Sequence, residues 1–525
     1  MILCFVFLSI GSALGESLTY DEVFSREEAS SLLVYGRPLD PYNPPLIRIL
    51  TGMPVALGLR TFIDSSLPNM RVLPARLVSI FLGVVLVSFI YRLTFTYFGS
   101  LVAVVSVFLT VFDPNILSYA HYTTSDLGAT VFFFLSFMAF LRWMRMRTTT
   151  SSVVLGLATG FAFATKITVV LYFIVTAAWL LAASKRQRLL PWIGRQRQWM
   201  FISFFVCLVA IWSTYFFQTD VIISSEYHPG RISYSVFSYA NRTHNKPLLF
   251  FLDVLTHQPV PLGRYMATVK NNVIRSTREA NTYIFGVHSL GPRWDFLARM
   301  LLFKTPLPLM ILLAAGILLR GKSENPKKKN FFVFALPVGA ILLVSWVCRL
   351  GPMIRYVLPM YPFIHILAAT SAGHLDRTWK RVLFGILLLW YAVGTLSQYP
   401  HFISYANELA GARAGRYRLF SDSNIDWGQA VPDVVRFVKE ARLVSLQFSY
   451  FGRDDVAGYR LVSSQPFGSY KFDDICAFKT IGDSSREPEA VLISVSNWYY
   501  CGYYQSPRFY EKNIQTVIGD SVLVF

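Results

Sequence analysis

Charged residues are scarce in this chain of 525 residues. Asp, Glu, Lys and Arg together make up 15% of it, whereas 54% is hydrophobic and 16% is aromatic. An average soluble domain carries about 25% charged residues, and Trp and Tyr collect where a bilayer meets water. The composition therefore excludes an ordinary soluble protein and indicates a polytopic membrane protein embedded in a lipid bilayer.

Motifs that bind nucleotides are missing as well. The sequence contains no GxGxxG fingerprint and no nucleophile elbow, and its GxxxxGKS match at 316–323 follows an apolar segment instead of the strand that a Walker loop requires. The sequence therefore shows no recognisable site for a nucleotide.

Cysteine is sparse, with five residues and neither a CxxC pair nor a Cys/His zinc spacing, so no cysteine metal site is indicated. Cys4, Cys207 and Cys348 lie in or beside apolar segments and are interpreted as packing residues. Cys476 and Cys501 lie in a region that we place outside the cytosol, where a disulfide is permitted but not required.

The apolar segments predict about eleven transmembrane helices. Their approximate positions are 2–16, 77–97, 99–112, 127–141, 152–165, 167–183, 199–217, 298–319, 331–348, 355–373 and 382–398. The first segment also resembles a signal peptide, but it lacks a basic start. We favour a first helix, and either interpretation leaves the residues after it outside the cytosol.

The net charge of +19 is concentrated in alternate gaps between these segments, as orientation signals are, so we expect no nucleic-acid partner. The basic gaps are 142–147, 185–197, 320–329 and 377–381, and the positive-inside rule makes them cytosolic. The other gaps then face outward, and they include the loops 17–76 and 218–297.

Hydropathy falls after about residue 398. We predict a transmembrane domain over 1–398 and a small extracytoplasmic α/β domain over 399–525. Within the latter, 430–442 has the pattern of an amphipathic helix, and short β-like runs follow at 444–451 and 490–497. The predicted fold class is thus a polytopic α-helical membrane protein with a small C-terminal α/β domain.

Three acids on the predicted outer side are candidate catalytic residues. Asp21 and Glu22 follow the first apolar segment, and Asp126 ends the polar stretch that begins at Tyr119. Each could instead cap a helix, because Asp and Glu are favoured at helix starts. Ionisable groups at the edge of a membrane bundle are nevertheless costly and often functional.

Four cations on the same side are candidates for binding a phosphate. They are Lys166, Arg355, Arg264 and Lys304. Lys166 interrupts a long apolar stretch, where the alternative is a side chain that snorkels to the interface. The guanidinium of Arg355 suits a phosphate. Acids and cations on one face suggest a reaction on a lipid-linked phosphate, in which a base activates the acceptor and cations stabilise the departing phosphate.

The order of several motifs resembles the family-39 glycosyltransferases of the C-type superfamily, which include protein O-mannosyltransferases and bacterial aminoarabinose transferases. The acidic pair followed by NPPL, DPNILSYAHYTTSD, GLATGFAFATK, FKTPLP and IRYVLPMYPF carry the resemblance. HFISYANELAG and SDSNIDWGQAVPDVVRF are similar to a bacterial subgroup with an exported C-terminal domain. Asn43 stands where the family usually has His, so no role of that imidazole is carried over.

The resemblance implies a C-type glycosyltransferase fold and transfer of a sugar, mannose or similar, from a polyprenyl-phosphate carrier to a protein or glycolipid acceptor. It places the protein in the bacterial inner membrane, with its active site facing the periplasm or exterior. Asp21 would be the general base, and Glu22 would support it or help to hold a divalent metal, Mg²⁺ or Mn²⁺. Asp126 would orient the acceptor, and Lys166 and Arg355 would bind the carrier phosphate, with Arg264 and Lys304 as further candidates.

A transporter or flippase of lipid-linked sugars is the alternative. It also needs polar groups inside a helical bundle, but it more often shows inverted repeats and charges at the middle of the membrane. Here the unusual polar groups cluster on one side, which favours chemistry at the membrane surface.

Overall fold

The computed structural model describes residues 1–36, 40–59, 68–183, 189–222, 238–239, 241–276, 281–291, 293–319, 328–351, 353–461, 474–483 and 485–525. The predicted basic stretches 185–188 and 320–327 lie outside these described residues. The chain divides into two compact units. Unit 1 comprises Met1–Glu27, Leu50–Leu127 and Ala280–Phe525, and unit 2 comprises Glu28–Ile49 and Gly128–Glu279.

The structure is predominantly helical. Up to residue 213 the helices are α1 (Ile2–Gly15), α2 (Tyr20–Tyr35), α3 (Leu46–Ala56), α4 (Pro68–Phe98), α5 (Ser100–Val111), α6 (Pro114–Ala120), α7 (Ser125–Met146), α8 (Thr149–Phe163), α9 (Ile167–Ala183) and α10 (Leu189–Ser213). They continue as α11 (Lys246–His257), α12 (Gly263–Ser276), α13 (Phe296–Lys304), α14 (Leu307–Leu319), α15 (Lys328–Val347), α16 (Ile354–Val357), α17 (Tyr361–Ala369), α18 (Thr378–Leu396), α19 (Val431–Glu440) and α20 (Val495–Tyr500).

Among the described residues, four helices are long and apolar enough to cross a membrane, or up to seven spans if each bent helix pair counts as one. The four are α4, α7, α18 and the part of α15 from Asn330 to Val347. A multi-pass membrane protein is therefore confirmed, but the predicted number of eleven helices is not. The difference arises because α8 and α9 are shorter apolar helices and because other predicted segments form bent pairs.

The bend between α5 and α6 shows how such a pair forms. Asp113 lies at the break, and its Oδ1 accepts hydrogen bonds from the N–H groups of Asn115 and Ile116, both at 2.8 Å. Pro114 occupies the first helical position, where its missing N–H costs nothing. The two helices meet at 60°. A cap and a proline thus start a short second helix directly after the predicted segment 99–112.

The C-terminal part of unit 1 contains a five-stranded sheet. Its strands are β5 (Ser445–Ser449), β6 (Lys479–Gly482), β7 (Ala490–Ser494), β8 (Thr516–Ile518) and β9 (Val522–Val524), in the order β6-β5-β7-β9-β8. The pairing of β5 with β7 is parallel, and the other pairings are antiparallel. Val431, Val434 and Val438 of α19 recur at helical spacing and share a buried cluster with Leu446 and Leu492. Two-stranded pairs also form, from β1 (Thr219–Asp220) with β2 (Val260–Pro261) and from β3 (Asn281–Ile284) with β4 (Val287–Leu290).

Cys476 and Cys501 form a disulfide, at a sequence separation of 25 and with 5.5 Å between their Cα atoms. Replacing both by serine should lower the free energy of unfolding by about 3 kcal/mol, because the reduced unfolded chain gains loop entropy. Thermal unfolding of the double variant, with native protein kept oxidised as the reference, measures this. An unchanged unfolding midpoint would show that the disulfide does not stabilise the fold.

Candidate active site

Asp21 and Arg355 form a direct ion pair in unit 1, although 334 positions separate them. Nη1 of Arg355 lies 2.7 Å from Oδ2 of Asp21. Asp21 is in the first turn of α2, and Arg355 is in the short helix α16. The side chain of Asp21 is 41% exposed and that of Arg355 is 14% exposed. The predicted base and one predicted phosphate ligand therefore meet at an accessible position.

The segment 421–429 holds Arg355 in place. The guanidinium of Arg355 lies over the buried ring of Trp427, 4.7 Å from its centroid. The neighbouring N–H of Ile354 donates to Oδ1 of Asn424 at 3.1 Å. Burial would lower the pKa of Arg355, but Asp21 and other nearby acids raise it well above its ordinary value. Arg355 is thus a permanent cation clamped between a ring and a carboxylate.

Asp422 lies in the same electrostatic environment, and our sequence reasoning gave it no role. Its backbone has φ of 53°, its N–H donates to Oγ of Ser496 at 2.8 Å, and its carbonyl accepts from the N–H of Asp426 at 2.9 Å. The pKa of Asp422 is raised, chiefly because the carboxyl is buried and further because of the charge of Asp21, whereas the positive charge of Arg355 opposes this shift. The acids in SDSNIDWGQ beside a tryptophan were the signal that could have revealed it.

Asp126 is in the first turn of α7 and is buried. Its Oδ2 accepts a hydrogen bond from Oγ1 of Thr124 at 3.0 Å. Its charge contributes to the raised pKa of Arg355, so Asp126 also acts on this site. The adjoining Tyr119 donates its hydroxyl to the carbonyl of Ser423 at 2.9 Å, which fixes the segment after Asp422.

Glu22 has a different environment from Asp21. Its Oε1 accepts from Nε of Arg76 and from the N–H of Thr123, both at 3.1 Å. Its Oε2 accepts from Nη2 of Arg76 at 2.8 Å and from the N–H of Thr19 at 3.0 Å. The side chains of Arg76 and Glu22 are fully buried. These contacts favour a structural role that fixes the bend between α1 and α2.

A divalent metal shared by Asp21 and Glu22 does not fit these contacts. Both oxygens of Glu22 are occupied by protein donors, and Asp21 is bound to a cation that repels a metal. Among the residues described, no group of three or more His, Cys, Asp or Glu side chains could hold a metal ion. We therefore derive no step through a metal.

Lys304 is buried at the end of α13 and is occupied by backbone carbonyls. Its Nζ donates to the carbonyls of Ile403 and Tyr405, both at 2.7 Å, and also to that of Asn424. An ammonium has three donors, so these contacts leave none for a phosphate. The arrangement favours a structural role for Lys304, which anchors the chain on both sides of residue 410 to α13.

Unit 2 carries the other predicted cations. Lys166 immediately precedes α9 and is half-buried, and Arg264 in the first turn of α12 pairs with Asp220 at 3.3 Å. The hydroxyl of Tyr265 reaches the carbonyl of Phe163 at 3.4 Å, so the start of α12 lies close to the end of α8.

A small cleft in unit 2 is lined by Pro41, Val221, Arg264, Ala267, Thr268, Lys270 and Asn271. Nζ of Lys270 donates to the carbonyl of Ile222 at 3.1 Å, and burial lowers the pKa of this lysine. Sequence reasoning missed Lys270, which lies six residues after Arg264. Unit 2 thus presents two cationic side chains in one concave site.

The NPPL element begins with a tight turn in unit 2. Asp40 accepts hydrogen bonds from the N–H of Tyr42 at 2.7 Å and from Nδ2 of Asn43 at 2.8 Å, and it also pairs with Arg48. Asn43, which stands where the resembling family usually has His, therefore contributes to the turn itself.

Comparison with known proteins supports the class of protein that this fold and these residues indicate. Residues 65–215 match the model of the dolichyl-phosphate-mannose-protein mannosyltransferase family. The match confirms, over this segment, the resemblance to polytopic membrane glycosyltransferases. None of the curated proteins matches the chain.

Two kinds of solved structure are similar to the chain. ArnT from Cupriavidus metallidurans in the apo state has 14% identity and a TM-score of 0.49, covering 76% of this chain and 64% of ArnT. ArnT has also been solved bound to undecaprenyl phosphate. The archaeal oligosaccharyltransferase AglB from Archaeoglobus fulgidus, in complex with an inhibitory peptide and a dolichol-phosphate, has 14% identity and a TM-score of 0.44, covering 77% of this chain and 56% of AglB. The chain thus spans less than two thirds of apo ArnT and of AglB, and no residue role transfers from them.

Proposed function

We propose that this protein is a C-type glycosyltransferase that transfers a sugar from a polyprenyl-phosphate carrier to a protein or glycolipid acceptor. The observation that carries the proposal is the accessible ion pair of Asp21 and Arg355, which joins a base to a permanent cation. The family match over 65–215 and the order of the motifs support the same reaction class.

In the proposed reaction, Asp21 removes the proton of the acceptor hydroxyl as its oxygen attacks the anomeric carbon of the sugar. The new bond from carbon to oxygen forms while the bond from the sugar to the carrier phosphate breaks. The carrier leaves as a phosphate monoester with increased negative charge. A direct displacement of this kind inverts the anomeric carbon and needs one base.

Arg355 is suited both to orient the base Asp21 and to bind the departing phosphate. A guanidinium offers five donors in a planar fork. One nitrogen, Nη1, holds Asp21, whereas Nε is buried and has no hydrogen-bond partner among the described residues. Arg355 can therefore orient the base and contact a phosphate oxygen together. Within unit 2, taken by itself, Lys166, Arg264 and Lys270 are proposed as candidate phosphate ligands.

The proposed location of the site is the extracytoplasmic face of a bacterial inner membrane. The disulfide of Cys476 and Cys501 supports this side for residues 399–525, because disulfides persist in oxidising compartments. The loop 17–76 is also less densely basic than the gaps, with six arginines in 60 residues against five Lys or Arg in the ten residues 320–329, which points the same way.

Topology can be tested by placing single cysteines in a variant that lacks the three free ones. A cysteine at Arg460, which is exposed, should react with a membrane-impermeant maleimide in intact cells. A cysteine at Arg377, in a predicted cytosolic gap, should react only after permeabilisation. The reverse labelling pattern would place the site on the cytosolic side.

A transporter of lipid-linked sugars remains the second candidate because unit 1 contains a buried polar network in its apolar helices. Oδ2 of Asp113 contacts Nε2 of His365 at 3.0 Å and the hydroxyl of Tyr391 at 3.1 Å. Purified protein incubated with radiolabelled polyprenyl-phosphate sugars and acceptors separates the two functions. A transferase yields a labelled acceptor and free carrier phosphate, whereas a transporter leaves the donor intact.

A further inference from the structure

Arg453 forms an unusual contact one helical turn from the proposed base. Its guanidinium lies over the rings of Tyr20 and Phe24, at 4.9 Å and 4.5 Å from their centroids. Tyr20 also stacks on Phe451, with centroids 5.5 Å apart and an interplanar angle of 15°. Three rings thus fix the position of a cation that comes from the loop after β5.

The charge of Arg453 has no anionic partner in the described part of the chain. Its Nε is buried and makes no hydrogen bond there. The acids that follow it have other contacts: Oδ2 of Asp454 accepts from the hydroxyl of Tyr459 at 2.8 Å, and Oδ1 of Asp455 accepts from the N–H of Ala457 at 3.1 Å. A guanidinium that rings hold in place while its donors lack an acceptor is prepared to bind an anion.

Arg453 packs against α2, the helix that carries the proposed base Asp21, which relates this cation to the proposed reaction. Tyr20 and Phe24 are four residues apart on α2, which brings them to the same face within about 6 Å, and Asp21 lies three residues before Phe24, at the spacing of helix neighbours. Phe24 is 39% exposed and Asp21 is 41% exposed. A substrate that presents a hydroxyl to Asp21 can therefore extend a second group to Arg453.

We propose that Arg453, supported by Tyr20 and Phe24, is a binding site for a phosphate group of a substrate. The phosphate belongs either to an acceptor whose hydroxyl reacts at Asp21 or to the polyprenyl carrier. Its place in the reaction rests on the proposed function, but the anion site itself stands on the contacts of Arg453. Rings and a guanidinium together favour a ligand with an apolar or sugar surface beside its negative charge.

Phosphate binding at Arg453 can be measured without turnover, so the test of this site is independent of whether the protein transfers a sugar. The full-length protein in a neutral detergent is titrated calorimetrically with glucose 6-phosphate, with glucose and with undecaprenyl phosphate. Arg453→Gln should weaken one of the two phosphate-bearing probes by about 10- to 100-fold, the cost of losing a charge-assisted hydrogen bond. Glucose binding should not change.

The two probes distinguish the source of the phosphate. A loss confined to glucose 6-phosphate assigns the site to the acceptor, and a loss confined to undecaprenyl phosphate assigns it to the carrier. Arg453→Lys should retain part of the affinity, whereas Arg460→Gln, at an exposed arginine seven residues further on, should retain all of it. If Arg453→Gln binds both phosphates as the native protein does while remaining folded, Arg453 only packs on the rings and the proposal fails.

Discussion

Asp21→Asn is expected to lower turnover by about 10²- to 10⁴-fold, the usual contribution of one general base. Asparagine keeps the shape of the side chain and can still accept a hydrogen bond from Arg355, but its amide does not take a proton from a hydroxyl. Because the side chain of Asp21 is 41% exposed, the variant should stay folded. The measurement is transfer from saturating polyprenyl-phosphate sugar, with carrier phosphate and labelled acceptor quantified together.

Glu27→Gln provides the matched control for this variant. Glu27 lies on the same helix and is exposed, and the substitution removes the same charge. It should transfer sugar at the native rate. If Asp21→Asn turned over as Glu27→Gln does, Asp21 would be a helix-start residue rather than the base.

Hydropathy and charge alternation were sufficient to predict a multi-pass helical protein, because both depend on local composition. They could not reveal the bends. The break at Asp113 depends on His365 and Tyr391, which are more than 250 positions away and complete the contacts of its carboxylate. Sequence therefore located the apolar segment at 99–112 but not the short helix α6 that continues it at an angle.

The helix predicted at 430–442 and the strands predicted at 444–451 and 490–497 correspond to α19, β5 and β7, except that the last three residues of 490–497 already belong to the helix α20. Their patterns were clear because one face of each packs on a shared buried cluster. Sequence gave no indication that β5 and β7 are parallel neighbours, since 40 residues intervene and pairing is decided by tertiary contacts.

For the site, the sequence supplied the residue types but not their partners. Asp21 and Glu22 are adjacent and similar in chemistry, yet one faces Arg355 and the other is enclosed by Arg76. Successive residues of a helix point about 100° apart, so neighbours in sequence can face solvent and core. The partners of Lys304 are equally hidden from the sequence, since the carbonyls of Ile403 and Tyr405 that occupy it come from a segment about 100 positions later.

Arg355→Met and Lys166→Met are each expected to lower turnover by about 10²- to 10³-fold, with smaller effects on donor affinity. The negative charge of the phosphate grows as the sugar leaves, so a cation that binds it stabilises the transition state more than the bound substrate. Methionine keeps an apolar stem of similar length, which limits the loss of packing. Turnover is measured at saturating donor, and donor affinity is measured separately with the carrier phosphate.

Arg413→Met is the matched control for Arg355→Met, because Arg413 also pairs with an aspartate at 2.7 Å but contacts Asp520 and the carbonyl of Ser397. It should leave turnover unchanged.

Combining Arg355→Met with Asp21→Asn separates the two roles proposed for Arg355, orienting the base and binding the phosphate. If Arg355 only orients Asp21, the double variant should be no slower than Asp21→Asn alone, since the effects of partners in one interaction are not additive. We expect a further loss of turnover, because Arg355 still stabilises the departing phosphate when the base is absent. Without that further loss, Arg355 would be a positioning residue and other cations would have to bind the phosphate.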